Sequence, residues 1–129
     1  MENQKKILIV EDETSLRNAL RDKLMLEGFI VLEAKNGKEG LDVALRDHPD
    51  LILLDIIMPK MDGLTMLKKL REDARGENMK VILLTNLSDN EKVSEALLRG
   101  SYDYLVKSDW KIGDVVAKVR ARLNELPKS

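Results

Sequence analysis

Residues 51–55 read Leu51-Ile52-Leu53-Leu54-Asp55, four apolar side chains in a row followed at once by a carboxylate. A short run that is apolar at every position, rather than at every second one, is typical of a parallel strand that helices cover on both faces. Residues 7–10 and 81–84 have the same continuous form, and residues 29–32 and 102–106 are two more short apolar runs. The sequence therefore predicts five strands.

Segments with apolar residues at helical spacing separate these runs and follow the last one. The first carries Leu16, Ala19, Leu20 and Leu24, and the last carries Ile112, Val115, Val116, Val119, Leu123 and Leu126. The spacings of Asn36 with Glu39 and of Ser88 with Glu91 predict capping boxes at helix starts, and Gly28 and Gly100 stand where helices are expected to end.

This alternation predicts an α/β fold with three layers, a (βα)5 doubly wound parallel sheet with right-handed crossovers. The flavodoxin-like strand order 2-1-3-4-5 is the expected arrangement. With 129 residues the chain has the length of one domain. We expect a single domain over residues 1–129, with its core in about 6–126.

Composition narrows the class of protein. The 22 basic and 23 acidic residues give a net charge of −1, so there is no electrostatic reason to expect direct binding to nucleic acid or an anionic membrane. Cysteine is absent, which removes disulfides and thiolate metal sites from consideration. The apolar run near the start has four residues, too few for a signal peptide or a membrane span, and we expect a cytoplasmic protein.

Side chains with complementary chemistry follow the predicted strands. Glu11 and Asp12 follow strand 1, Asp55 ends strand 3, strand 4 runs into Thr85 and strand 5 runs into Lys107. Ligand sites of such sheets lie beyond the carboxyl ends of the strands. Clustered carboxylates repel each other, so a hard cation such as Mg²⁺ is expected among them. One carboxylate could then attack phosphorus, with the lysine ammonium facing the phosphoryl oxygens. No glycine-rich loop follows strand 1, so a bound nucleotide or flavin is not indicated.

The sequence closely resembles the receiver domains of two-component response regulators, the CheY-like family. The resemblance extends from Lys6 to about Leu126, and the run from Asp55 through Met58-Pro59 to Asp62-Gly63 is its most specific part. The other matching pieces are Ile7-Leu8-Ile9-Val10-Glu11-Asp12, Leu83-Leu84-Thr85 and Tyr104-Leu105-Val106-Lys107.

The resemblance implies a role for each matching residue at the site. Asp55 would accept a phosphoryl group from the phosphohistidine of a histidine kinase or phosphotransfer protein, or from a small phosphodonor. Glu11 and Asp12, together with Asp55 and the backbone carbonyl of Ile57, would hold Mg²⁺. Lys107 would pair with the phosphoryl oxygens.

The resemblance also implies a switch rather than a turnover enzyme, with self-catalysed phosphorylation and dephosphorylation. Thr85 would bond to the phosphate and draw its loop inward, and Tyr104 would change rotamer in response. Strand 5 and the predicted helices on either side, residues 90–99 and 111–125, would form the output face. That face would act on a downstream protein partner or on an output domain outside this chain.

The chain departs from the usual family pattern at several positions. Glu11 stands where aspartate is more common, Ser108 where proline is usual after the lysine, and Asn86 where a small residue is common. Ile57 and Leu87 are apolar at positions that, in the family the sequence resembles, flank the path of the hydrolytic water. Because neither side chain can orient water, we expect the phosphorylated form to lose its phosphate slowly.

Two other functions fit parts of the sequence. A receiver-like adaptor could bind its partner without phosphorylation, although the presence of Asp55, Thr85 and Lys107 argues against it. An aspartyl phosphatase of the haloacid dehalogenase type would need a second aspartate two residues after the nucleophile as a general acid, and Ile57 occupies that position.

Overall fold

The computed structural model describes residues 4–56, 58, 60–85, 103–106 and 111–123. Its strands are β1 (Lys6–Val10), β2 (Ile30–Ala34), β3 (Leu51–Asp55), β4 (Lys80–Thr85) and β5 (Asp103–Val106). They form one sheet in the order β2-β1-β3-β4-β5, and all neighbouring strands are parallel. The five predicted strands and their order are confirmed.

Helices cover both faces of this sheet. They are α1 (Thr14–Leu26), α2 (Gly37–Asp47), α3 (Gly63–Glu72) and α4 (Ile112–Arg122). Successive side chains of a strand point to opposite faces, so alternate residues of β1, β3 and β4 enter two separate cores. One core packs against α2 and α3 and the other against α1 and α4. The doubly wound α/β architecture is thereby confirmed.

The central strands explain why their sequences are apolar throughout. All residues of β3, and every residue of β1 and β4 except the first, are buried. β2 is different because it lies at the sheet edge and is only partly buried. It begins at Ile30 rather than Phe29, since the Phe29 amide bonds to the Leu24 carbonyl at the end of α1.

The ends of the helices agree in part with the predicted caps. Gly28 has a φ of 96° and follows α1, in the left-handed conformation that favours glycine at this position. Asn36 caps α2, its side-chain oxygen accepting from the Glu39 amide at 2.9 Å. The Glu39 carboxylate accepts from the amide of Lys35 instead of that of Asn36, so only half of the predicted capping box forms.

One residue of a predicted helix stripe was placed wrongly. Ala19 is exposed, whereas Leu20 and Leu24 are fully buried. The apolar face of α1 therefore follows the leucines at i and i+4, and Ala19 lies on its border. Of the other expected elements, the helix over 90–99, the box of Ser88 with Glu91 and Gly100 lie outside the described residues. Among the described helices, none has the length and apolar character needed to cross a bilayer.

Candidate functional site

Three carboxylates meet at the carboxyl ends of β1 and β3. One ligand atom from each of Glu11, Asp12 and Asp55 lies within 4.8 Å of the other two. The two strands are neighbours with Val10 opposite Leu54, so the residues that follow them, Glu11 and Asp55, lie side by side. The three carboxylates converge at one edge of the sheet, as the sequence predicts.

Two of the three carboxylates lie in a region from which water is largely excluded. Glu11 is 0% exposed and Asp55 is 4% exposed, whereas Asp12 is exposed. Two unit charges 4.8 Å apart repel by roughly 3 kcal/mol at an effective dielectric constant of 20. A cation that binds carboxylate oxygens removes this repulsion. The donor set contains oxygen only and includes one carboxylate open to solvent, which fits a hard dication that keeps some of its water.

Three hydrogen bonds to other described residues help to hold Glu11 in place. Its amide donates to the Ala34 carbonyl at 3.1 Å, and its carbonyl accepts from Nη1 of Arg17 at 2.9 Å. Its side-chain Oε2 accepts from the Glu13 amide at 3.1 Å. Glutamate is one methylene longer than aspartate, and these contacts fix both the backbone and the longer side chain of Glu11 beside Asp55.

The start of α3 packs directly behind Asp55. The Gly63 amide donates to the Ile56 carbonyl at 2.7 Å, and a Cβ on Gly63 would run into the backbone carbonyl of Asp55. Asp62 caps the helix, its Oδ1 accepting from the Thr65 amide at 2.9 Å. In the sequence, Asp62 and Gly63 stand out only as part of the motif that begins at Asp55. An aspartate N-cap followed by glycine was the available signal for their structural role.

Thr85 lies on β4 and Tyr104 on β5, the two strands on the side of β3 away from β1. Thr85 is the last residue of β4 and 1% exposed. Its neighbour Leu84 is in register with Asp55, so Thr85 lies one residue beyond Asp55 at the same sheet edge. Tyr104 on β5 is 42% exposed, in register with Leu83. Five other residues to which the sequence or its family resemblance draws attention lie outside the described part of the chain: Ile57, Asn86, Leu87, Lys107 and Ser108.

A family model, curated relatives and solved structures all indicate the same family for this chain. The family model "response regulator receiver domain" matches residues 7–120. A probable transcriptional regulator, ycf27 of Porphyridium aerugineum, is 35% identical over 126 residues, which cover 98% of this chain and 51% of the relative. The DNA-binding dual master transcriptional regulator RpaA of Synechocystis is 34% identical over 118 residues, covering 92% of this chain and 48% of the relative.

Solved structures similar to this chain include receiver domains of the same family. The response regulator receiver domain protein (CheY-like) from Methanospirillum hungatei is 30% identical with a TM-score of 0.87, and the match covers 95% of each chain. The chain spans about half the length of the curated relatives it matches. The family model covers most of the chain, and the chain therefore belongs to the response regulator receiver domain family of two-component signalling.

Proposed function

We propose that the chain is a phosphoacceptor switch in which Asp55 receives a phosphoryl group. The donor is the phosphohistidine of a sensor histidine kinase or phosphotransfer protein, or a small phosphodonor. The observation that carries the proposal is the cluster of Glu11, Asp12 and Asp55, whose ligand atoms lie within 4.8 Å of one another at the end of the sheet. Such a cluster pairs a nucleophilic carboxylate with the ligands of a charge-neutralising cation.

The transfer is a displacement at phosphorus. A carboxylate oxygen of Asp55 forms the new O–P bond, the N–P bond to the donor imidazole breaks, and its electron pair stays on the histidine nitrogen. The product is an acyl phosphate on Asp55, and attack by water on its phosphorus returns the carboxylate and inorganic phosphate. With Asp55 only 4% exposed, the donor reaches it from the solvent side of the cluster, where Asp12 lies.

The carboxylates of Glu11, Asp12 and Asp55, with the backbone carbonyl of Ile57, would hold Mg²⁺. When bound, Mg²⁺ neutralises negative charge on the phosphoryl oxygens during transfer. The ammonium of Lys107, which follows β5 in the sequence, would pair with the same oxygens.

Phosphorylation alters the protein by the contacts that the new group makes in one arrangement and not in the other. The Thr85 hydroxyl bonds to a phosphoryl oxygen and draws the following loop inward. Tyr104, half-exposed on β5, then changes rotamer. The surface that changes consists of β5, α4 and the predicted helix over 90–99. A downstream protein, or an output domain beyond these residues, recognises this surface. RpaA, a DNA-binding relative of about twice the length, is consistent with such an output domain.

The role of the carboxylates is tested by the Mg²⁺ dependence of phosphorylation by acetyl phosphate. Asp12→Asn removes one ligand charge and should raise the Mg²⁺ concentration for half-maximal rate roughly tenfold or more, since even outer partners of a metal site contribute that much. Asp42→Asn makes the same change at an exposed position of α2 and should leave it unchanged. An equal Mg²⁺ requirement in Asp12→Asn and the parent would contradict the proposed ligand set.

A further inference from the structure

We infer that Arg17 is a positioning residue for the cation site, an inference that rests on the function proposed above. Arg17 lies near the start of α1. Its guanidinium is a cation that has only hydrogen-bond donors, so it is not itself a metal ligand. Its Nη1 donates to the backbone carbonyl of Glu11 at 2.9 Å, and its side chain is 12% exposed. It acts through Glu11, which carries one of the three carboxylates.

Arg17 is itself held by a second contact. Its Nε lies 3.4 Å from Oε1 of Glu33 on β2. Glu33 is in register with Ile9 of β1, two residues before Glu11. The guanidinium therefore joins α1 and β2 to the loop that follows β1. A planar guanidinium can make both contacts at once because its donors point in fixed directions.

Two effects of Arg17 on a bound cation have opposite signs. As a positive charge near the site, it repels a dication, so removing it should tighten Mg²⁺ binding. As an anchor of the Glu11 backbone, it keeps a carboxylate in place, so removing it should weaken binding. Outer partners of metal sites change affinity by about 10- to 100-fold. The positive charge of Arg17 is offset by the Glu33 carboxylate, whose Oε1 lies 3.4 Å from the Arg17 Nε, so its net repulsion of a dication is reduced. We expect the anchoring effect to dominate.

Arg21 offers a matched control. It lies one turn further along α1 and its Nη1 lies 3.8 Å from Oε1 of the same Glu33. Its other described partners are Asn18 and Asp22, and none of its described contacts reaches Glu11. Replacing either arginine by methionine removes the same charge and the same donors, with a similar side-chain length. Only Arg17→Met also removes the bond to the Glu11 carbonyl.

The experiment is calorimetric titration of the unphosphorylated full chain with MgCl2 at constant ionic strength, with circular dichroism to establish that each variant is folded. The expected result is a dissociation constant raised roughly tenfold in Arg17→Met and changed by less than about twofold in Arg21→Met. Arg17→Lys keeps the charge but not the two-point geometry, and should also bind Mg²⁺ more weakly than the parent.

The other possible results of the Mg²⁺ titration distinguish a wrong positioning role for Arg17 from a wrong metal site. Unchanged or tighter binding in Arg17→Met, or equal losses in Arg17→Met and Arg21→Met, would overturn the positioning role while leaving the proposed function intact. Binding by Arg17→Lys equal to that of the parent would show that the two-point geometry of the guanidinium is not required, and would overturn the positioning role as argued from that geometry. If the parent bound no Mg²⁺, the proposed metal site itself would be wrong, and the inference would fall with it.

Discussion

Gly63 should be intolerant of even one added methyl group. A Cβ at this position would overlap the backbone carbonyl of Asp55 and would lie 2.8 Å from Cα of Ile56. Both obstacles are backbone atoms, which cannot rotate away as a side chain can. Gly63→Ala can therefore be accommodated only if the start of α3 moves away from Asp55, which also strains the 2.7 Å bond from the Gly63 amide to the Ile56 carbonyl.

The size of the effect follows from those contacts. Forcing an extra methyl group into a packed region costs about 1–3 kcal/mol, and the gain in helix propensity from glycine to alanine offsets less than about 1 kcal/mol of it. We expect Gly63→Ala to lower the free energy of unfolding by about 1–2 kcal/mol. The midpoint of urea unfolding should fall by about 0.3–2 M.

Gly113 provides the control for the same substitution. It is an exposed glycine in α4, and an added Cβ would have no atom within 4 Å among the described residues, its chain neighbours and its own helix backbone aside. Gly113→Ala should raise the free energy of unfolding by up to about 1 kcal/mol, because only helix propensity changes. Urea unfolding followed by circular dichroism measures both variants. If Gly63→Ala were as stable as the parent, or if both variants shifted in the same direction, the close approach of α3 to Asp55 would be wrong.

The side-chain hydrogen bonds from Arg75 lower the pKa of Asp73 to about 2, so carboxyl titration by NMR should show a midpoint near that value, and Arg75→Gln should raise it toward the ordinary range. Because the folded pKa is the lower one, this pair stabilises the fold above the unfolded pKa of 3.8, and the contribution is lost as the pH falls toward 2; an unmoved midpoint in Arg75→Gln would refute the cause. Leu20 is fully buried between α1 and the sheet, so Leu20→Ala should cost about 2–5 kcal/mol of stability in the same urea assay; a loss below about 1 kcal/mol would contradict its place in the core. Ile57→Asn with Leu87→Glu should shorten the lifetime of the phosphorylated form, measured by its decay after the phosphodonor is removed. An unchanged lifetime would remove the basis for a sustained signal.

Burial determined which strands could be predicted well. β1, β3 and β4 are central, so nearly every position in them is apolar and their runs stand out in the sequence. β2 pairs only with β1, includes Glu33 in its partly buried stretch and was predicted one to two residues too early. An apolar run cannot mark the end of a strand whose side chains are half in water.

The carboxylate cluster could be predicted because it depends on strand ends alone. Once β1 and β3 were expected to be parallel and adjacent, Glu11 and Asp55 had to lie near each other. The role of Arg17 could not be predicted in this way, because its partner is the backbone carbonyl of Glu11, which has no signature in the sequence. Gly63 is an intermediate case. A glycine after a helix-capping aspartate is visible in the sequence, but the carbonyl that excludes its Cβ is apparent only in the fold.

Phosphorylation of Asp55 is tested most simply by the intact-protein mass after incubation with acetyl phosphate or phosphoramidate and Mg²⁺. Asp55→Asn and Asp42→Asn serve as matched variants, one at the proposed phosphoacceptor and one at an exposed carboxylate of α2. We expect a single Mg²⁺-dependent phosphoryl adduct in the parent and in Asp42→Asn, and none in Asp55→Asn. Folded parent protein that gained no adduct from either donor would show that Asp55 is not a phosphoacceptor under these conditions, and would favour an adaptor that binds its partner without phosphorylation.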